Sequence, residues 1–472
     1  MRDARCSRIA LAVALFIACP AVAQQSYPIN LPTAMKLAGA EPLDIAIATA
    51  RLQSAAAQLQ RANVLWLPTV QMGADYFRHD GQIQDVAGKV FTTSKSTFMV
   101  GAGPAVTLAV SDAIFAPLAA RQVVRAQEGG VQAARNDSLF AVATAYFDVQ
   151  QARGRVAGSA DAVRRAEELL RRVEKLGGAL TPAVEVNRVR TELARRRQAV
   201  ESAQESRETA GAELARLLRL PPASAVEPIE PPQLRVDLID PNQSVDELIP
   251  IGLTNRPELA ANKALVLATL ARLRQEKIRP LIPSVLIHGA ATNPAGTLSS
   301  GYFGGGINSN LSNFSARNSV DVQLLWELQN LGFGNRAAVR ERSADNQRAV
   351  LELFRIQDQV AAEVVQAHSQ ARRAANRVSL AEEELTNARV TAEKNLEGIG
   401  QTRRVGETLT LVFRPQEVVA AIAALDSAYQ SYYGAIADAN RAQFRLYRAL
   451  GHPAQCLGEV RQYGGEVVVP TP

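Results

Sequence analysis

Apolar and small residues recur every three or four positions along two long stretches of the chain. One stretch runs without proline over 118–176, and the second repeats the spacing over 360–392. Each is followed by a return stretch with the same heptad spacing, at 186–217 and 422–446. Roughly 59 residues of helix extend about 90 Å, which is longer than a globular core requires. The pattern therefore predicts two antiparallel hairpins of long helices, at 118–218 and 335–450.

Between the helices, apolar and polar residues alternate with the period of two that a β-strand requires. Segments of about ten residues fit one crossing of a bilayer by a tilted strand. Long polar loops are predicted within each pair of strands, at 78–96 and 293–319. A small soluble β-sandwich is the alternative interpretation of the same alternation. The predicted strands lie at about 68–78, 97–108, 283–292 and 318–328.

Five aromatic residues lie near the ends of these predicted strands. Trp66 precedes the first strand and Trp326 falls near the end of the fourth, so an up-and-down order places both on one side. Tyr76, Phe77 and Phe98 fall at the opposite ends of their strands. Trp and Tyr concentrate at the two interfaces of a membrane, which predicts two aromatic girdles around an apolar band.

The two halves of the chain resemble each other. Residues 63–70 align without a gap on 278–285, and the same offset aligns Glu41-Pro42 with Arg256-Pro257. Each half is predicted to hold an opening helix, at about 31–62 or 245–277, then two strands and a helix hairpin. The predicted division is a first repeat at 24–220, a Pro-rich linker at 221–244, a second repeat at 245–451 and a C-terminal tail at 452–472.

The first 23 residues have the pattern of a secretory signal peptide. Three arginines precede an apolar run, and Ala21-Val22-Ala23 supplies the small-x-small cleavage pattern, so 1–23 is excluded from the fold. Cys19 follows Phe16-Ile17-Ala18, a poor match to a lipoprotein box, which leaves lipidation at Cys19 as an alternative. Cys456 is then the one cysteine of the mature chain, so no internal disulfide is predicted.

Composition favours helices and argues against several functions. Hydrophobic residues make up 47% of the chain but aromatic residues only 5%, and abundant Ala, Arg, Glu and Gln favour long helices. The net charge falls from +6 to +4 when three Arg and one Asp leave with the signal, and the remaining charges are interspersed. This indicates no nucleic-acid partner. The four histidines have no ligand spacing, and no catalytic or cofactor motif occurs, so no enzyme, metal or cofactor is predicted.

Four strands cannot close a barrel by themselves, because an open sheet edge in lipid leaves backbone groups without hydrogen bonds. The smallest single-chain barrels have about eight strands. Three copies would supply twelve strands and twelve helices. The sequence therefore predicts a mainly α protein with membrane β that must oligomerise.

The junctions between these segments resemble the TolC-type outer membrane efflux protein family. The resemblance rests on LWELQNLGFGNRA at 325–337, AYFDV at 145–149 and NRAQFRLYRALG at 440–451, in an order of segments that covers nearly the whole mature chain. The first-half junction at 111–117 lacks the family's glycine, and Pro117 is expected to supply the bend there.

The resemblance implies a homotrimeric outer-membrane channel with most of its mass in the periplasm. Its implied fold is a trimeric 12-strand outer-membrane β-barrel, with four strands per chain, continuous with a long antiparallel α-helical coiled-coil periplasmic tube and built from two tandem repeats. It implies passive conduction within a tripartite efflux or type I secretion system. The implied partners are a periplasmic adaptor protein, an inner-membrane pump of RND or ABC type and outer-membrane lipid. The exported substrate stays open, because the mild net charge selects none.

The family's closed end is the tube tip, where the turns of the two helix hairpins converge. Gly177 and Gly178 are expected to end one helix, and Thr181 and Pro182 to begin the next as cap and first residue. Inward-facing Arg403 and Arg404 would give a trimer a ring of six positive charges; solvated outer-face charges are the preferred interpretation. The candidates for gating and adaptor docking are Leu176, Gly177, Gly178, Thr181, Gly398, Gly400, Arg403, Arg404, Gly406, Glu407 and Arg414.

Two other classes of protein remain as alternatives. A periplasmic coiled-coil adaptor (membrane fusion) protein would carry one helix hairpin flanked by β-rich modules rather than two matched halves. A structural coiled coil would not explain the alternating ten-residue segments with aromatic ends.

Overall fold

The computed structural model describes residues 26–40, 42–67, 69–180, 182–221, 224–288, 300–304, 315–318, 321–405, 408–452, 462–463 and 466–467. Cys19, Cys456 and the predicted signal peptide lie outside these residues. The chain divides into two compact units. Unit 1 comprises Met1–Ile47, Gln132–Arg256 and Asp358–Pro472, and unit 2 comprises Ala48–Val131 and Pro257–Gln357.

The described residues form eight α-helices and twelve short or long strands. The helices are α1 (Leu31–Ala40), α2 (Leu43–Asn63), α3 (Val110–Leu180), α4 (Ala183–Leu217), α5 (Val245–Asn255), α6 (Pro257–Ile278), α7 (Phe333–Gly398) and α8 (Pro415–Ala449). The strands are β1 (Ser26–Ile29), β2 (Thr69–Gln84), β3 (Val90–Ala109), β4 (Ala225–Pro228), β5 (Ser284–His288), β6 (Ser300–Gly304), β7 (Ser315–Asn318), β8 (Asp321–Leu325), β9 (Thr402–Val405), β10 (Thr408–Leu411), β11 (Gln462–Tyr463) and β12 (Glu466–Val467). No described helix is both long and apolar enough to span a membrane.

Each predicted opening helix is in fact two helices, which corrects the expectation of one. In the first half α1 ends at Ala40 and α2 begins at Leu43, directly after Pro42; in the second half the break falls at Arg256, directly before Pro257. Arg256 has an extended backbone (ψ 121°) directly before Pro257. The proline ring disfavours the helical region for the residue before it, so the first helix ends there.

In unit 1 the long helices pack along the predicted apolar stripes. The stripe on α7 is buried from Val360 to Ala392, including Val364, Ala371 and Val378. Many of its members are alanine, which lets neighbouring helices approach closely. Tyr146, Phe147 and Phe444 add the large side chains of a further core cluster.

The Pro-rich segment predicted as a linker is an ordered part of unit 1. Its β4 pairs in parallel with β1, with Tyr27 opposite Val226. The buried amides of Asn440 and Gln443 on α8 hold the rest: the Val236 backbone N–H donates to Asn440 Oδ1 at 2.9 Å, and Gln443 Nε2 donates to the Ile239 carbonyl at 3.1 Å. The segment therefore packs against α8 instead of running loosely between the two halves.

Unit 2 contains an antiparallel sheet that is four strands wide. The long β2 and β3 pair from Thr69–Ala105 to Gln84–Val90. β5 and β6 both pair with β3, and β8 and β7 lie outside them. In the described part of the chain, β2 and β8 each have a ladder partner on one side only.

The predicted loop at 78–96 is wrong, because β2 and β3 continue through it to a short turn at 85–89. The fourth predicted strand, 318–328, corresponds to β8, which ends at Leu325. The third begins as predicted with β5, but 289–292 lies outside the described residues. The predicted loop at 293–319 carries β6 and β7 in its described parts.

The two strand-to-helix junctions differ. β3 passes directly into α3 at Val110, and Pro117 lies inside this helix. In the second half a short 3-10 turn, Gln329–Gly332, precedes α7. Asn330 (φ 50°) and Leu331 (φ 59°) have left-handed backbones there, a conformation that is costly for Leu.

Candidate functional site

The turn of the first hairpin is shorter than expected. α3 continues through Gly177 and Gly178 to Leu180, so the glycines do not end it. Pro182 is the N-cap residue of α4 instead of its first helical residue, and no side chain caps this end. Thr181 lies outside the described residues. Leu176 is partly buried against the apolar cluster of the hairpin ends.

The turn of the second hairpin is a two-stranded ribbon that the sequence analysis missed. β9 and β10 pair from Thr402–Leu411 to Val405–Thr408, and the Val412 backbone N–H donates to the Gln401 carbonyl at 2.9 Å. Gly400 (φ 94°) supplies the left-handed turn into the ribbon. The signal was present: TRRV and TLTL flank Gly406-Glu407, and a two-residue glycine turn between β-prone segments favours a hairpin.

The ribbon changes the hypothesis of a six-charge ring. Arg403 and Arg404 are consecutive in β9, opposite Thr410 and Leu409. Consecutive strand positions lie on opposite faces, so the two arginine positions do not share one side of the ribbon. Gly406 and Glu407 lie outside the described residues. Arg414 is the N-cap residue of α8, where its side chain makes no capping hydrogen bond.

Both hairpin ends converge on one apolar cluster in unit 1. It joins Leu169 and Val173 of α3, Val189 of α4, Leu396 of α7 and Ile422 of α8. A Cβ on Gly398 would lie 2.4 Å from the Phe413 ring, so the chain needs glycine where α7 ends.

Arginines tie the hairpin ends together as well. Arg172 Nη1 on α3 donates to the Leu396 carbonyl of α7 at 2.7 Å. A guanidinium here satisfies a carbonyl that the last turn of a helix leaves without an intrahelical partner, and its charge is favourable at that end. Arg188 of α4 donates to Gln416 of α8 at 3.4 Å. The two turns are thus held at the same end of the bundle.

The buried carboxylate of Asp426 lies one to three helical turns from the apolar cluster of the hairpin ends, on the side away from the turns. Asp426 on α8 is 2% exposed and accepts hydrogen bonds from Ser159 (3.0 Å), Arg196 (2.6 Å) and Gln430 (3.3 Å). Arg196 Nε also lies 2.8 Å from Glu192 Oε1. The network joins α3, α4 and α8. Its sequence signal was a charged residue inside the apolar stripe of Ile422, Leu425 and Tyr429.

Two glycines of α3 accommodate two tyrosines of α8. A Cβ on Gly154 would lie 2.3 Å from Tyr433 Cγ, and one on Gly158 would lie 2.5 Å from Tyr429 Cβ. The two tyrosine rings stack with their centroids 6.4 Å apart. Glycine spaced by four residues in a long helix is the sequence signal for such a close crossing.

Asp161 extends this contact. It accepts hydrogen bonds from Arg164 (2.8 Å), Arg165 (2.9 Å) and the Tyr429 hydroxyl (3.3 Å). Burial by itself raises the pKa of this carboxyl, but the hydrogen bonds from Arg165 and Arg164 outweigh it and hold the pKa below its usual value. The side chain is therefore ionised over the neutral range.

The sheet of unit 2 has one apolar face. The register aligns Leu108, Val285 and Leu324 in one row across three strands, while the next row aligns Thr107, Leu286 and Gln323. Directly paired residues share a face, so the first row lies on the opposite face from Gln323. Leu324 is 58% exposed. The predicted alternation of apolar and polar residues therefore becomes two distinct faces.

The structure places the predicted aromatic residues at two levels of this sheet. Trp66 lies just before β2 and Trp326 just after β8, at the same end of the sheet, and they are 63% and 56% exposed. Tyr76 pairs with Phe98, and Phe77 with Thr97. These three residues lie partway along β2 and β3 instead of at the strand ends, because both strands continue beyond them. From Thr69 to Tyr76 the strand rises about 24 Å, which at the ~35–45° tilt of barrel strands spans about 17–20 Å of the ~25 Å apolar band of an outer-membrane barrel.

Beyond Tyr76 the hairpin is polar. Arg78 Nε donates to Asp80 at 2.6 Å, and Asp80 also accepts from Ser94. Within the described ranges, no group of His, Cys, Asp and Glu has the arrangement of a metal site.

No protein-family model and no curated protein sequence matches the chain. Solved structures do. The outer-membrane channel OprN is 19% identical with a TM-score of 0.69, over 90% of each chain. A membrane protein from Pseudomonas aeruginosa is 17% identical with a TM-score of 0.73, over 89% of this chain and 93% of its own. The CmeC outer membrane channel of Campylobacter jejuni is 15% identical with a TM-score of 0.71, over 89% and 85%. The chain therefore has the fold of solved outer-membrane channels.

Proposed function

We propose that this chain is one protomer of a homotrimeric outer-membrane channel that passively conducts exported substrates from the periplasm to the exterior. The observation that carries the proposal is the sheet of unit 2, with an apolar face between two levels of aromatic residues. Such a face is favourable in hydrocarbon, and aromatic residues are enriched where hydrocarbon meets water. The shared fold with outer-membrane channels supports the same function.

The two outer strands of the sheet support the proposed trimer. In hydrocarbon, the unpaired backbone groups of β2 and β8 would each cost several kcal/mol. A second copy can pair with them, and three copies of a sheet four strands wide complete twelve strands. The two similar halves of the chain are proposed to be tandem repeats, because helices, strands and a helix hairpin follow in the same order in each.

The hairpin ends in unit 1 are proposed to lie at the periplasmic tip and to contact a periplasmic adaptor protein. The adaptor would couple the channel to an inner-membrane pump in a tripartite efflux or type I secretion system. The channel itself catalyses no reaction in this proposal. An adaptor or a structural coiled coil is disfavoured by the sheet, because neither explains an exposed apolar face with aromatic borders.

Membrane fractionation tests the proposal. The protein is expected in the outer-membrane fraction, migrating as a heat-modifiable trimer and giving both α and β signatures in circular dichroism. A soluble periplasmic protein, or a detergent-solubilised monomer, would refute it.

The role of the tip arginines is tested separately by Arg403→Ala and Arg404→Ala, made singly. Positively charged rings favour anions, so an arginine that lines the lumen lowers anion-over-cation selectivity in single-channel recordings when it is removed. Because the two positions lie on opposite faces, at most one substitution is expected to do so. Unchanged selectivity in both variants means that these are outer-face charges.

A further inference from the structure

Two helical segments near the hairpin ends carry opposite charge. Residues 183–198 of α4 hold five arginines and two glutamates, and residues 380–398 of α7 hold five glutamates, one arginine and one lysine. Both segments are in unit 1. The difference in sign between two otherwise similar hairpins is what a complementary contact requires.

The excess charge of each segment is on the surface. On α4, Arg196 and Glu192 are turned into the bundle, whereas the remaining four arginines are each more than half exposed. We call Arg188, Arg190, Arg195 and Arg197 the basic patch. On α7, Glu382, Glu383, Glu384, Glu393 and Glu397 are exposed and form the acidic patch.

The acidic patch also contains exposed apolar side chains. Leu380 is 65% exposed and Val390 is 49% exposed. The buried side of the same helix is already occupied, because Ala392 packs on α8 and Leu396 lies in the apolar cluster of the hairpin ends. One apolar side of α7 therefore contacts its own chain, and a second side exposes apolar side chains to solvent.

The two patches do not neutralise each other within one chain. Among the described residues, no salt bridge joins a basic-patch arginine to an acidic-patch glutamate. Arg190 and Arg197 pair with Glu174 (3.0 Å) and Glu167 (2.9 Å) of α3, and Arg188 pairs with Glu185 of α4 (2.5 Å). In the acidic patch, Glu397 pairs with Lys394 (2.9 Å) and Glu382 with Arg235 (2.7 Å). Pairs this exposed contribute little to stability, so they do not prevent a stronger contact with another surface.

Part of the acidic patch lies at the same depth along the bundle as the basic patch. Val189 and Leu193 of α4 and Leu396 of α7 belong to one apolar cluster, so Glu393 and Glu397, within one helical turn of Leu396, are level with the basic patch. Glu382, Glu383 and Glu384 lie about 18–21 Å farther along α7. Rotation about an axis parallel to the helices preserves depth, so in a ring of identical copies Glu393 and Glu397 of one copy are level with the basic patch of the next.

We infer that Glu393 and Glu397 of the acidic patch of α7 pack against the basic patch of α4 in a neighbouring copy of this chain, with Val390 beside them in the contact. Such a contact joins two different surfaces, and repeated rotation closes it into a ring. Charges beside a helix seam select partner and orientation. The inference rests on the proposed trimer and names the surfaces that determine which helices meet.

Charge reversal tests the contact. One variant carries Glu393→Lys and Glu397→Lys, a second carries Arg190→Glu and Arg195→Glu, and a third combines all four substitutions. Trimer content is measured in detergent by native mass spectrometry at fixed protein concentration and low salt. Each single-sided reversal is expected to lower the trimer fraction at least tenfold, and the combined variant is expected to restore it.

A control variant carries Glu341→Lys and Glu352→Lys, two exposed residues of α7 outside the patch, and it is expected to remain trimeric. Helical circular dichroism verifies that each variant is folded. Two results overturn the inference while leaving the proposed channel intact: reversed variants that stay fully trimeric, or a folded combined variant that stays dissociated. A wild-type protein that is itself monomeric contradicts the proposed function as well.

Discussion

At the scale of single residues, the crossing of α3 and α8 depends on the absence of a side chain at Gly154. Gly154→Ala would place a methyl group 2.3 Å from the Tyr433 ring. Overpacking of this kind costs about 1–3 kcal/mol, so we expect a lower melting temperature of the helical signal. Gly211→Ala is the matched control, because a Cβ there meets nothing within 4 Å. It should stabilise the protein by about 0.5–1 kcal/mol through helix propensity. Equal effects of the two substitutions would contradict this account of the crossing.

The ion pair of Arg196 and Asp426 is expected to behave as a buried pair. Arg196→Met leaves the carboxylate of Asp426, which is 2% exposed, without its cation. Loss of one partner of a buried pair typically costs ~3–5 kcal/mol, whereas replacing both with apolar residues is often neutral. Combining Arg196→Met with Asp426→Leu should therefore recover most of the loss in denaturant unfolding. A double variant as unstable as the single variant would show that the charges themselves are required.

Asp161 gives a pH dependence with a definite sign. Its folded-state pKa is lowered, so its contribution to stability is present above the unfolded pKa of about 3.9 and is lost as the pH falls through the folded value. The melting temperature of Asp161→Asn should be below that of wild type at pH 7, and the difference should shrink at acid pH. Asp358→Asn, at an exposed position, is the control. A difference that is constant with pH would argue against the ionised carboxylate.

At the scale of elements, the two faces of the sheet should tolerate charge differently. Leu324→Arg places a cation on the face shared with Leu108 and Val285, whereas Gln323→Arg places it on the opposite face. An arginine facing lipid near the bilayer midplane costs about 2–4 kcal/mol, and a lumen-facing one is tolerated. We expect Leu324→Arg, but not Gln323→Arg, to reduce the heat-modifiable form in the outer-membrane fraction. The reverse order would mean that the faces are assigned wrongly.

Sequence patterns predicted the elements that bury a face and missed those that do not. The heptad spacing in α7 and the alternation around Leu324 each arise because one side of the element is apolar. The structure contains both the helix α7 and the strand β8. The extension of β2 and β3 through 78–96 is mostly polar, with Ile83 opposite Phe91 as its one apolar cross-strand pair, so it gave no alternation. Gly177 and Gly178 suggested a helix end, but α3 continues through them to Leu180.

The polar contacts of the candidate site were harder to predict than the elements. Arg172 meets the Leu396 carbonyl across 224 residues of sequence, and no local pattern encodes such a pairing. The Gly154–Gly158 spacing was a usable signal, but its meaning depends on Tyr429 and Tyr433 in a helix from the other half of the chain.

At the scale of the whole molecule, the proposed function requires this chain to be one of three copies in a larger assembly. One protomer presents an apolar sheet face, two outer strands that lack a second ladder partner within the described ranges, and oppositely charged patches on its helix hairpins. These features would be liabilities in an isolated protein. Each is satisfied in an oligomer inserted in a bilayer.

Conductance across a planar lipid bilayer is the direct test that this protein forms a passive channel. Purified trimer is added from one side at a concentration that gives single insertion events. The account predicts discrete steps of ohmic conductance without ATP or a proton gradient, and no steps from wild-type protein that has been heat-dissociated to monomer. Trimer that inserts stably but never conducts, even after the tip residues 401–412 are replaced by a short Gly-Ser turn, would contradict it.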